Sequence, residues 1–254
     1  QVAQDVESVR QKGEEIGLRL NNKKCEYISS TAQSTDSVFN DFIHLTVDQA
    51  ELLGAPVTTG AAMDQALKSR CDDLERAAGR LRLLTAHDAL ILLRSSFSAP
   101  KLLHTLRASP CSGHPALERF DSLLRRSTCD ISNTDLTDTQ WLQASLPVRN
   151  GGLGIRRVSS LAPSAFLASA AGTRRLQDEI LLNCCASVDS AVTAVLAHWS
   201  ARFSQPGALS PGVEAAGKQR EWDKPCVAVD VTFAVLSARQ TQSSTTASTV
   251  GSTQ

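Results

Sequence analysis

The sequence predicts a mainly α chain with a small α+β part at its N-terminus. Three observations carry this. Short β-prone runs are confined to about the first 60 residues, apolar residues then recur at helical spacing as far as Phe203, and order-forming residues thin out beyond it. The expected organisation is an α+β piece over residues 1–60, a helical region over 61–204, and a linker with a low-complexity tail over 205–254.

Val2, Val6, Val9 and Ile16 recur at near-helical spacing, and Gly17 stands where a left-handed cap ends a helix. Leu18 and Leu20 alternate as in a short strand, Asn21-Asn22 supply turn residues, and Cys25 to Ile28 continue as a second strand. Residues 29–37 form a Ser/Thr-rich loop, Phe42 to Val47 a further strand, and Leu52 to Val57 a turn containing Gly54 and Pro56.

From Ala61 the period becomes 3.6. Met63, Leu67, Leu74, Ala78 and Leu81 line one face of a helix. Thr85 or Asp88 caps the next, which runs through Leu90, Leu93 and Phe97, and Pro100 fits the first turn of another. Leu117, Phe120 and Leu124 mark a helix entered through Ser112-Gly113. Leu176, Ile180 and Cys184, then Val188, Val192, Val195, Trp199 and Phe203, mark two more, with a short strand expected at Leu153 to Val158. Trp222 to Leu236 reads as a short helix with no evident surface to pack on. Thr241 to Gln254 is almost wholly Ser, Thr, Gln and Gly, and too poor in apolar surface to order itself.

Composition bounds the function. Lys+Arg and Asp+Glu both total 26, so net charge names no partner. The chain opens on Gln1, and its one methionine is Met63, which leads us to expect a piece of something longer. The longest uncharged stretch, Val158 to Thr173, is too short and too polar to span a bilayer. Seven cysteines without a CxxC pair, and no N-x-[ST] sequon, fit reduced thiols and an intracellular place, cytoplasm or nucleus.

Charge is uneven along the chain. Residues 1–64 carry five basic and ten acidic side chains, whereas residues 68–126 carry eleven basic against six acidic. Such an excess suits a phosphate backbone. From charge alone a solvated helix face accounts for it more readily, since Lys68/Asp72 and Asp72/Arg76 are i,i+4 pairs.

Common enzyme signatures are absent: no GxxxxGK[ST], HExxH, GxSxG, or GxGxxG after a strand. Asn150-Gly151-Gly152-Leu153-Gly154 lacks the Lys-Ser/Thr of a phosphate cradle and reads as a tight turn. Cys184-Cys185 has no second ligand pair at zinc spacing and reads as core filling.

Four runs, in order, carry a resemblance. Gly17-Leu18-x-Leu20-Asn21-x-x-Lys24-Cys25-Glu26 resembles motif D of non-LTR (LINE-type) retrotransposon reverse transcriptases, and Leu52-Leu53-Gly54-Ala55-Pro56 resembles the motif E region. Ser145 to Arg156, leading into Ser160 to Ser169, is similar to a stretch downstream of the thumb. Trp222-Asp223-Lys224-Pro225 is similar to the start of the next block. The resemblance implies a partial palm, a helical thumb-like bundle and a disordered tail.

It also implies roles. The family binds two magnesium ions on palm aspartates, one set in an [FY]xDD hairpin. This chain contains no such hairpin, and Asp72-Asp73 lies in a helix pattern that makes it no substitute. The expectation is therefore no cofactor and no polymerase activity in this chain by itself. Lys24 matches the motif D lysine near the incoming phosphates, and Leu53 and Gly54 match the primer-grip turn. The thumb would hold a template–primer, such as an RNA–DNA hybrid, by phosphate contacts. Arg76 with Arg80, and Arg119 with Arg126, are the candidate contacts because each pair can share a helix face. The rival reading is a degenerate or domesticated helical interaction module with no nucleic-acid role.

Overall fold

The computed structural model describes residues 2–29, 37–180, 189–203, 211–212 and 215–250, with side chains in the last helix described as far as residue 237. It divides into two compact units, residues 1–63 and 64–254.

In the first unit, helix α1 (Val2–Glu15) stops as its sequence dictates. Gly17 takes a φ of 76°, and the Leu18 amide reaches back to Gly13 O at 2.8 Å, closing a left-handed cap. No residue of α1 is buried, however, so its valines form no core stripe. The strand expected at Leu18 to Leu20 does not form. That segment is irregular and leads into a 3-10 turn at Asn22–Lys24, because no neighbouring strand pairs with it.

Strand β1 (Glu26–Ile28) pairs instead with β2 (Ile43–Leu45), in parallel, with Tyr27 opposite His44. Tyr27 stacks on Phe39 at 4.5 Å, and Phe39 meets Phe42 edge-on at 5.7 Å, giving this unit an aromatic nucleus. Strands β3 (Glu51–Leu52) and β4 (Ala55–Pro56) form a hairpin whose two turn residues, Leu53 and Gly54, have φ of 51° and 76°.

The second unit is helical. Helix α2 (Ala61–Leu81) buries Leu67, Cys71, Leu74 and Leu81 on one stripe, close to the expected set, with Ala77 rather than Ala78 at its edge. Thr85 caps α3 (Ala86–Leu92) by accepting from the Asp88 amide. The helix then loosens into a π turn at Leu93–Phe97, where the Ser98 amide bonds Leu93 O at 2.8 Å. Pro100 sits in the first turn of α4 (Ala99–Ala108). Helix α5 (Pro115–Ser132) comes next, with Leu117, Phe120 and Leu124 fully buried, and then α6 (Asp138–Ser145), opened by a reciprocal Thr137–Gln140 capping box.

Residues 150–154 form a tight turn. A Cβ on Gly152 would lie 2.1 Å from Leu146 O, so only glycine fits there. The strand expected at Leu153 to Val158 is irregular chain leading into a helix.

That helix, α7 (Val158–Ile180), organises the unit. Its first half, the uncharged run, is buried on nearly all sides, which is why it needs apolar or small residues all round. Asp121 of α5 supplies its N-cap: one oxygen accepts from the Val158 amide at 2.7 Å, the other from the Ser159 amide and hydroxyl at 3.1 and 2.6 Å. Helices α4, α5, α8 (Ser190–Ser200) and α9 (Gln219–Val250) pack against α7.

Trp222 to Leu236 lies in α9 and is far from unpartnered. Trp222 and Cys226 join Phe166, Leu167, Val195, Trp199 and Phe203 in one apolar cluster, and Trp199 Nε1 donates to Trp222 O at 3.1 Å. Helix α9 continues to Val250, through the stretch from Thr241 whose composition implies disorder. The packed first turns supply the nucleus, after which each added residue gains one backbone hydrogen bond. The expected linker at 205–210, the Ser/Thr loop from 30 to 36, and Cys184-Cys185 lie outside the described residues. No helix among the described residues is long and apolar enough to cross a membrane.

Candidate nucleic-acid interface

Arg76 and Arg80, one turn apart on α2, line the same cleft. It has a volume of about 400 Å³ and is closed on its far side by Leu92, Phe97 and Lys101, with Leu81 and Leu84 in its apolar lining. Asp73 lies among these cations. Lys101 Nζ approaches it at 3.1 Å and Arg70 at 3.6 Å, and Arg76 Nη2 donates to its other oxygen. The hydrogen bond from Lys101, reinforced by the charges of Lys101, Arg76 and Arg70, holds the Asp73 carboxyl below the usual range. Arg80 is exposed, and no ion pair engages it among the described residues. Within the cleft lining three cations, Arg76, Arg80 and Lys101, face one carboxylate, Asp73, so the lining is net positive.

Lys101 could not be assigned to this site from sequence. It stands 28 positions beyond Asp73, on a different helix, and only the return of the chain through α3 brings it back to α2.

Arg119 occupies a different flank. It faces Asp72 at 3.4 Å and Glu75 at 3.8 Å, so part of its charge is spent tying α5 to α2. Arg126 is exposed two turns further along α5 and has no ion pair among the described residues. The i,i+4 pairs suggested for Asp72 give way to these contacts: Asp72 faces Arg119, and Arg76 bonds Asp73.

Asp72 and Asp73, adjacent on a helix, point about 100° apart and each is held by its own cations, so they do not fit a magnesium site. Among the described residues no three His, Cys, Asp or Glu side chains converge as a metal site would require. Burial pushes the Cys111 thiol up to about 12 and raises those of Cys71 and Cys226, which disfavours the reactive thiolate at these three positions.

In the first unit, Lys24 is exposed at the end of the 3-10 turn, and Leu53 projects at the tip of the β3–β4 hairpin with 89% of its surface exposed. A leucine at positive φ is uncommon and costs about 1–2 kcal/mol. Compared with family models, curated proteins and solved structures, the chain matches none.

Proposed function

We propose that this chain is the part of a LINE-type reverse transcriptase downstream of the catalytic hairpin, and that it binds template–primer without polymerising by itself. The observation that carries the binding half is the cleft between α2 and α4, where Arg76, Arg80 and Lys101 present positive charge that one carboxylate, Asp73, does not balance. Phosphate contacts need cations at a surface, not a base-reading helix, so binding would be independent of sequence. The family half rests on the four motif resemblances, in order, along the chain. Leu53 adds to it, being an exposed apolar residue held at an unfavourable φ where the motif E turn would meet a primer.

Binding of a labelled RNA–DNA hybrid, measured by anisotropy, tests this. Affinity should fall steeply between 50 and 200 mM salt, roughly as expected when several counterions are released. Charge reversal at Arg76, Arg80 and Arg126 should abolish binding. Arg80 and Arg126 are the better probes, because reversal of Arg76 would set a carboxylate against Asp73, and reversal of Arg119 one against Asp72 and Glu75. A flat salt response, or no binding at low salt, would leave the chain a helical interaction module.

A further inference from the structure

We infer that the cleft between α2 and α4 takes one unstacked nucleotide, its base against the apolar lining and its phosphate at Arg76, Arg80 and Lys101. The inference rests on the nucleic-acid reading above and makes it more specific: a single strand, or the unpaired end of a duplex, is the preferred ligand.

Shape and chemistry both point this way. A duplex held only by its phosphates calls for cations spread along a surface and has no use for an apolar hollow. Here the cations rim a concavity of about 400 Å³, within the range of sites that enclose small organic groups. Its lining is mostly apolar, from Leu81, Leu84, Leu92 and Phe97, and an apolar hollow beside three cations matches a flat, weakly polar base joined to an anion. Stacking on an aromatic side chain beside a basic groove is how single strands are held without sequence preference.

The backbone supplies a second observation. The π turn at Leu93–Phe97 widens the end of the helix that begins with α3, and the helix stops at Ser98, whose ψ of −136° lies outside the helical range. Leu93, at its start, is wholly buried, and Phe97, at its end, is left only half-buried and lining the cleft. Such turns recur at functional sites. Asp73 bonds Lys101 and Arg76 and so competes with an incoming anion for two of the three cations.

The test uses the full chain and three fluorescein-labelled ligands with equal numbers of phosphates: oligo-dT, the same strand with abasic sites throughout, and a blunt RNA–DNA hybrid. Oligo-dT should bind at least about fivefold more tightly than the abasic strand. Phe97→Leu should bring that ratio close to one. Leu84→Trp, at a half-exposed position on the cleft edge, should fill the hollow and do the same should Phe97→Leu fail to fold. Equal affinity for oligo-dT and the abasic strand, with salt-dependent hybrid binding intact, would overturn the nucleotide cleft alone. Absence of salt-dependent binding to all three ligands would overturn both it and the function it rests on.

Discussion

Arg156 grips Asp223 through two parallel hydrogen bonds of 2.8 Å each, joining residues 67 positions apart in the chain. The pair is largely buried, with side-chain exposures of 19% and 10%. Two turns further along α9, Asp230 accepts from both Arg157, at 2.8 Å, and Arg202, at 3.1 Å. Three chain segments, those before α7, after α8 and in α9, are thus fixed to one another by charge as well as by the tryptophan cluster.

Removing one partner strands the other's charge. Asp223→Ala should therefore cost about 3 kcal/mol in the second unit. The double variant Arg156→Met with Asp223→Leu should cost much less, since it removes both charges and keeps apolar bulk. Urea unfolding of the three proteins measures this; equal losses in the single and double variants would refute it.

Asp121 makes stability depend on pH. Burial pushes its carboxyl up to about 6, although the Ser159 hydroxyl and the Val158 and Ser159 amides pull the other way. The folded value lies above the ordinary one of 3.8, so the folded protein binds the extra proton between them. The stability this group contributes is complete below about pH 4 and is lost as pH rises through 6, on the order of 3 kcal/mol in all. Asp121→Asn should flatten that part of the profile. The difference in unfolding free energy between wild type and variant, measured from pH 4 to 7, should change in this direction.

Asp73 offers a change of opposite sign to the arginine reversals. Asp73→Asn removes the one carboxylate that Lys101, Arg70 and Arg76 share. The cleft gains a unit of positive charge. Hybrid binding should become tighter at low salt, and the slope of log affinity against log salt should steepen by about 1. Unchanged or weaker binding by a folded variant would argue that these cations do not meet phosphate.

Leu53→Asn should relieve the hairpin. Asn-Gly suits a two-residue turn with both φ values positive, so the first unit should gain about 1 kcal/mol. The readout is slower hydrogen exchange at the Val57 amide, which donates to Ala50 O at 3.0 Å across the hairpin. If the leucine also meets a primer strand, the same variant should bind a hybrid less well, separating a functional residue from a structural one.

Taken by itself, the sequence determined the local elements whose cause is local. Periodicity placed Leu67, Leu74 and Leu81 on the buried face of α2, Thr85 and Pro100 marked where helices start, Gly17 marked where one stops, and Gly152 fixed a turn. The alternation at Leu18 and Leu20 misled because a strand exists only when another pairs with it. What only the tertiary structure decided is which faces meet. Asp121 caps a helix 37 residues away, Lys101 crosses to Asp73, and Trp222 finds Trp199. A helical stripe states that a side chain will be buried but carries no record of what will cover it, and a charge pairs with whatever opposite charge the packing brings near.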